Sequence, residues 1–485
     1  MGAMFRGPDN LAGRLAVGGG AGVLAFLAGR PLWAAGNGGG GSSSLEVLLI
    51  LVGIVGLAYL VAHVLLERVA ERYGIITGIE YVLLGAVAFQ VIAAPLLPGD
   101  QVPAGQRVDN LIDQLRPILV LGTGSVGLMW GTHVHLHHLD RYDRASFGPA
   151  IVISAVTFAF VAGLPALLIP YFYSVDQLYA MLPILVCGGA VAMVAGDGPI
   201  RSLVAFLNAE GDAPVVAERV AGVCSSLGII AFGLLFCFDN TGALIREGPY
   251  DWAQWLGVHL VLGVALGLIF GTFLRRDFSD EKILTVVIGM VVFTSGIADG
   301  LHLSPIFVNF VLGVVLINTC RHGDHVREML ESIKHPLYIV LFIFAGAKLD
   351  FGVPVWAYAL AGPYLLLRLA GRWAGGALAT VRMESQPQLP TLGRVLFAPG
   401  GLSIAMALDF LMVYAPRGAE KAGIFFGTTH DVEAFYDGIV LAIIVSEVLA
   451  YAMTRAWLID AANVTTSPPG GGGRGGGDSE PAGVS

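Results

Sequence analysis

Glu447 stands in "LAIIVSEVLAYAM", a carboxylate with mostly apolar residues on both sides. An ionisable group inside an apolar span is expensive to keep and by default functional. A carboxyl placed there can load and unload a proton; the bland alternative is a structural ion pair with an arginine. Asp197 lies within "VAMVAGDGPIRSLV", where Gly196, Gly198 and Pro199 cannot together sustain a regular helix. It can meet a cation, or cap the free N–H groups of Ile200 or Arg201 where a half-helix starts. Pro399, Gly400 and Gly401 interrupt "FAPGGLS" in the same way, and Asp409 follows in "IAMALDFLM" as a second ligand or an arginine partner. Arg368 and Arg372 sit one turn apart in "YLLLRLAGRWAGG". A guanidinium does not deprotonate in use, so it suits a fixed countercharge better than a proton carrier.

Other candidates are weaker. In "THVHLHH", His133 and His137 are spaced i,i+4 and His135 and His138 i,i+3, so each pair can share a helix face. Two histidines alone do not make a zinc site, and a solvated interfacial face is the expectation. The four cysteines, Cys187, Cys224, Cys237 and Cys320, lie in or at the end of apolar runs without metal or CxxC spacing, and read as small buried side chains. His259 has no evident partner in the sequence. Neither a cofactor nor a metal is expected.

The elements that must position these groups are membrane helices. Of the 485 residues, 55% are hydrophobic and 13% charged, against about 25% charged in a soluble domain. The mean hydropathy is +0.75. About fourteen runs reach the roughly 20 apolar residues of a span, starting at 11–34 and 45–69 and ending at 392–414 and 435–460. The predicted fold is therefore an all-α polytopic membrane protein. The run at 11–34 follows Arg6 and Arg14 but is Gly-rich and ends at Arg30, a poor secretory signal, and reads as an uncleaved helix. With fourteen spans, most Lys and Arg fall on the side of the N-terminus, which places both termini in the cytoplasm. The net charge of −9 is scattered and no basic patch suggests nucleic acid. "GNGGGGSSS" (36–44) is a flexible tether, residues 385–391 and about 415–434 are loops, and the Gly-rich tail 467–485 has too little apolar content to fold.

Residues 282–351 run from "KILTVVIGMVVFTSGIADGLHLSPIFVNFVLGVVLINT" to "FAGAKLDF". This block resembles the monovalent cation:proton antiporter superfamily, the sodium/proton and potassium/proton exchangers. The matching positions are Asp299, Leu303-Ser304-Pro305, Gly313, Asn318, Pro336, Gly346 and Leu349-Asp350. "ERYGIITGIEYVLLGAV" (71–87) and "RPILVLGTGSVGLMWGTHVHLHHL" (116–139) are similar to early family helices. The resemblance covers about 45–460. It implies two inverted six-helix repeats, 45–240 and 281–460, joined by a linker helix within 241–280. An extra N-terminal helix with its tether (1–44) and a cytoplasmic tail (461–485) flank them. The two interruptions, 195–199 and 397–403, then fall on the fifth element of each repeat, where transporters of this kind break a helix beside an ion site. The family also implies a homodimer in the cell (inner) membrane, with a monovalent cation, protons and the bilayer as partners.

The pattern departs at one place. The sixth element of the first repeat usually carries an ionisable Asp, and the aligned positions here are Ser225 and Ser226, in "VCSSLGII". A hydroxyl can ligate a cation through its lone pairs but does not release a proton at physiological pH. Glu447, on the inverted mate of that helix, is expected to face Ser226 and carry the proton. The site would then comprise Asp197, Ser225, Ser226, Glu447, the Ala398–Gly401 backbone and, as a second ligand, Asp409. The resemblance makes Arg368 the countercharge. It makes Asp299 structural, and Glu80, Asp113 and Arg116 read as pairing or capping groups. The expected activity is exchange of Na⁺ or K⁺ for protons by alternating access. The alternatives are a non-transporting homologue acting as sensor or complex subunit, or a carrier of an anionic or organic solute. No nucleophile/base pair points to an enzyme.

Overall fold

In the computed structural model the described residues are 56, 78–93, 115–135, 144–172, 175–207, 209–239, 251–274, 280–320, 323–349, 355–381, 389–420, 429–461 and 463–464. The spans expected at 11–34 and 45–69, the 36–44 tether, Asp113, His137, His138 and the tail lie outside them. Seven helices among the described residues are long and apolar enough to cross a bilayer, from Ser146–Tyr171 to Val432–Asp460. Glu80–Gln90, Pro305–Thr319 and Gly400–Tyr414 are shorter apolar helices.

In chain order the helices are α1 (Ile79–Ala86), α2 (Arg116–Thr132), α3 (Arg144–Phe158, running on through a π-helical turn to Phe172), α4 (Val175–Met193), α5 (Gly198–Leu207), α6 (Asp212–Asp239) and α7 (Asp251–Phe273). Then come α8 (Asp280–Gly300), α9 (Pro305–Thr319), α10 (Gly323–Ala347), a short helical turn Val355–Ala359 directly before α11 (Ala361–Val381), α12 (Leu389–Val395), α13 (Gly400–Glu420) and α14 (Thr429–Ala461). A two-residue antiparallel ladder, Ala209–Glu210 with Asn463–Val464, joins the start of α6 to the end of α14. α7 lies within the 241–280 segment expected to hold the linker helix.

Local chemistry sets several of these limits. Ser304 caps α9, its hydroxyl accepting the Phe307 N–H at 3.2 Å, and Pro305 follows at the one turn of a helix where a missing N–H costs nothing. α2 stops at Thr132 because side chains capture the last-turn carbonyl. Thr132 Oγ1 donates to the Met129 carbonyl at 2.8 Å and His133 Nδ1 donates to it at 2.7 Å, in competition with helical bonding. His133 is consequently a C-cap and His135 lies beyond the end of α2. The loop expected at 415–434 is shorter than its polarity suggests: α13 continues to Glu420 and α14 begins at Thr429. Likewise α12 starts at Leu389, within the loop expected at 385–391.

α1 packs on α10, α2 on α9 and α3 on α11, while α4 lies against α6 and α13 against α14. Small residues let these helices approach, as in membrane bundles generally. Where α2 crosses α9, a Cβ added to Gly313 would lie 3.0 Å from the Gly131 Cα. The main apolar core is built from α1, α2, α4, α6, α9, α10, α13 and α14, and a second one surrounds α5, α6 and α12.

Candidate functional site: two crossed helix breaks

The helical path opens twice within this core. α4 ends at Met193 and α5 begins at Gly198; α12 ends at Val395 and α13 begins at Gly400. The two open segments meet. Gly196 N–H donates to the Ala398 carbonyl at 2.7 Å, and a Cβ on Gly196 would come within 2.9 Å of the Gly400 Cα. Gly400 has φ +67°, a conformation that glycine adopts without steric cost. Glycine is required here for two reasons, the backbone contact and the left-handed turn.

A break leaves carbonyls without donors at one helix end and N–H groups without acceptors at the other. Charged side chains answer both. Arg368 and Arg372 are fully buried. Arg368 Nη2 donates to the Val194 carbonyl at 2.9 Å, and Arg372 Nη2 reaches the carbonyls of Ala192, Met193 and Val194 at 2.9, 2.7 and 2.8 Å. The guanidiniums thus meet the negative end of α4, and the Arg368 guanidinium also lies over the Phe397 ring, 5.3 Å from its centroid. At the other break Glu447, 5% exposed, accepts the Gly400 N–H on Oε2 at 3.1 Å, at the positive end of α13.

A cavity of about 190 Å³ lies against the crossing, well above the roughly 15 Å³ that one water requires. It is lined by Gly196, Asp197 and Gly198 from the first break, by Pro399, Gly400 and Gly401 from the second, and by Glu447. Tyr81, Trp130, Tyr338 and Phe342 form much of the rest, with Trp130 Nε1 donating to the Tyr338 hydroxyl at 3.2 Å. A larger vestibule of about 450 Å³ adjoins it, and Trp130, Asp197 and Lys334 line both. Its walls include Ser226, Gly222 and Glu218 along one face of α6, together with Arg201, His133 and Arg327. Asp197 pairs with Arg201 at 2.8 Å, and Arg201 Nε lies 3.7 Å from Glu218 Oε2.

The structure therefore brings together only part of the set read from sequence. Glu447, Asp197, Gly196, Gly198, Pro399, Gly400 and Gly401 surround one cavity, while Pro199 lines neither space. Ser225 lines neither space: its hydroxyl donates to the Ala195 carbonyl at 2.8 Å and accepts the Ala195 N–H at 3.3 Å, stitching the open segment in place. Ser226 lines the vestibule and donates to Gly222 at 3.0 Å, so it and Glu447 border different spaces. Asp409 is fully buried in another setting, accepting the Ser304 hydroxyl at 2.6 Å, and lines neither space. Arg368 forms no ion pair with an acid among the described residues; its one hydrogen bond goes from Nη2 to the Val194 carbonyl. Asp197 uses its backbone carbonyl for the Arg201 N–H, at 3.0 Å, and its side chain for the guanidinium.

The remaining residues are structural in their geometry. Asp299 pairs with Arg116 at 2.8 Å, tying α8 to α2. His259 does have a partner, the Trp255 carbonyl at 2.8 Å from Nδ1. All four cysteines are free and buried. His133 Nε2 lies 3.3 Å from Glu331. Glu218 and Arg201 were not singled out from the sequence, though both left a signal. Arg201 follows Asp197 by one turn, and Glu218, Gly222 and Ser226 recur at i, i+4 and i+8 on one helix face.

This arrangement, crossed interruptions beside a polar cavity within a bundle of long apolar helices, defines the class as a transporter-type integral membrane fold. The comparisons sharpen it. The transmembrane sodium/hydrogen exchanger family matches residues 215–449. A structure of the sodium proton antiporter MjNhaP1 from Methanocaldococcus jannaschii at pH 8 superposes with a TM-score of 0.64 at 15% identity, over 85% of this chain and 99% of that one. An electron-microscopy structure of the same antiporter gives 0.60 at 14% identity, over 85% and 98%. The ammonium/H⁺ antiporter subunit AmhT of Alkalihalophilus pseudofirmus is 22% identical over 172 residues, 34% of this chain and 41% of the relative. The match thus spans less than half of that relative's length. The chain is thus similar to the sodium/hydrogen exchanger family over just under half of its length, residues 215–449, and shares the fold of these antiporter structures.

Proposed function

We propose that the chain exchanges a monovalent cation, Na⁺ or K⁺, for protons by alternating access, with the crossing cavity as the transport site. The observation that carries this reading is the direct contact of the two breaks, Gly196 N–H to Ala398 carbonyl at 2.7 Å, beside a cavity that also holds Glu447. Open backbone at such depth is tolerated where it lines a cavity or is buried in protein, and helix breaks of this kind expose dipole ends to an ion.

Glu447 is the proton carrier in this mechanism. Its carboxyl can hold a proton or, ionised, balance a cation in the cavity. Proton and cation then exclude one another at one group, which couples their movements in opposite directions without a carboxylate at Ser225 or Ser226. Asp197, at the wall shared by cavity and vestibule, adds negative charge on the route between them. Arg368 and Arg372 hold the α4 end in place. The names of the similar proteins, which are antiporters, support the same activity class.

The two-repeat organisation proposed for 45–240 and 281–460 is supported by reciprocal packing. The second element of each half lies on the third of the other (α1 on α10, α9 on α2), the fourth elements pair with each other (α3, α11), and the fifth elements cross at their breaks. Fourteen spans, cytoplasmic termini, a cell-membrane location and a homodimer complete the proposal. Purified protein in liposomes under an imposed pH gradient tests the function. We expect cation-dependent proton flux, abolished by Glu447→Gln, which keeps an acceptor for Gly400 N–H and so keeps the fold. Absence of flux with Na⁺, K⁺ and Li⁺ refutes transport, and unchanged flux in the variant removes Glu447 from the mechanism.

A further inference from the structure

We infer that Arg201 is a tethered competitor of the transported cation: its guanidinium occupies the place between Asp197 and Glu218 that an entering cation must take to reach the crossing cavity. The inference rests on the transport reading above and adds to it the residue that sets how tightly the cation is admitted.

Three observations converge on it. Among the described residues, Asp197 is the one carboxylate that lines both the vestibule and the inner cavity. Its carboxylate is occupied by Arg201 Nη2 at 2.8 Å. The same guanidinium reaches Glu218 Oε2 at 3.7 Å through Nε, and Glu218 stands on the vestibule face of α6 that also carries Gly222 and Ser226. Arg201 therefore holds two acids from two helices, α5 and α6, at the step from outer to inner space.

The strength of this contact decides its role. Arg201 is 55% exposed, Glu218 32% and Asp197 23%. Ion pairs as accessible as these contribute little to folding and rearrange readily. The contrast with Arg372, fully buried and bonded to three carbonyls, is sharp: one arginine is fastened into the scaffold and the other is free to swing. A side chain on a short helix that begins at the break can leave Asp197 by rotamer change alone, with no movement of backbone. A monovalent cation arriving in the vestibule replaces like with like. One positive charge displaces another from the same pair of carboxylates, so the local charge does not change as the cation enters.

Competition of this kind has a distinct kinetic signature. The tether raises the concentration of cation needed for half-maximal flux and leaves the maximal rate near its starting value. The test measures cation-dependent proton flux in proteoliposomes for the intact chain, Arg201→Lys and Arg201→Gln, over a range of NaCl and KCl, with thermal unfolding in detergent alongside. In Arg201→Gln we expect the apparent KM for the cation to fall about fivefold, equivalent to about 1 kcal/mol, at similar maximal flux and unfolding temperature. Arg201→Lys, which keeps the charge, is expected to stay near the intact chain. An unchanged KM in Arg201→Gln overturns the inference, as does a loss of maximal flux in a variant whose unfolding temperature is preserved. If Arg201→Gln unfolds, Arg201→Met, which keeps the apolar stem and removes the same charge while leaving both carboxylates in place, gives the same reading of KM. Absence of flux in the intact chain removes the transport reading itself, and with it this inference.

Discussion

Gly196→Ala isolates the contact between the two breaks. The added Cβ would stand 2.9 Å from the Gly400 Cα and 3.0 Å from its N. Non-bonded carbon atoms rest at about 3.5–4.0 Å, so the segments must separate by roughly 0.6 Å or more. Both near atoms are backbone, and no side chain can turn aside to absorb the change. The separation strains the bond from Gly196 N–H to the Ala398 carbonyl, now 2.7 Å, itself worth about 1 kcal/mol. With overpacking of about 1–3 kcal/mol, the total loss is expected at about 2–4 kcal/mol. The conformation of Gly196 adds nothing, since its φ is not positive. Gly198→Ala is the matched control: the same methyl, two residues on, meets no atom within 4 Å. Its effect on stability is expected within about 0.5 kcal/mol, as for other changes that create no clash. Thermal or denaturant unfolding of both variants in one detergent checks this, with flux measured in parallel. Equal stability of the two alanine variants would refute the claim that the breaks are held in contact.

The remaining perturbations address the groups around the crossing. Arg372→Met removes the donor shared by three carbonyls of residues 192–194, and at about 1–3 kcal/mol for an orphaned buried polar group it is expected to destabilise by at least about 2 kcal/mol in the same unfolding assay. Arg116→Gln breaks the pair with Asp299, whose side chains are 31% and 29% exposed; less than about 1 kcal/mol is expected, and a double-mutant cycle with Asp299→Asn measures it.

Particular residues show how far the sequence reaches. The breaks were legible because glycine and proline act through covalent geometry, which is local: no surroundings restore the missing proline N–H or supply a Cβ to glycine. The apolar spans were legible because lipid imposes a length and a composition on any helix that crosses it. The limits of α2 and α13 were less so, since side chains such as Thr132 and His133, bonded to Met129, decide where a helix stops. The acidic and basic groups were legible as a set and not as a site. Glu447, Asp409, Arg368 and Ser225 each stand in similar apolar surroundings along the chain. Glu447 meets the Gly400 N–H, 47 residues away; Asp409 meets Ser304, 105 residues away; Arg368 meets a carbonyl 174 residues away.

The amino-acid sequence thus determined by itself that the chain crosses a membrane and that two of its helices cannot run unbroken, because both follow from properties each residue carries everywhere. Only the tertiary structure decided that the two interruptions touch, that Arg368 and Arg372 serve the end of α4, and that Asp197 rather than Ser225 borders the cavity. Those outcomes depend on which helix ends come to lie side by side. A dipole end or a lone pair is satisfied by whatever group packing places within about 3 Å of it.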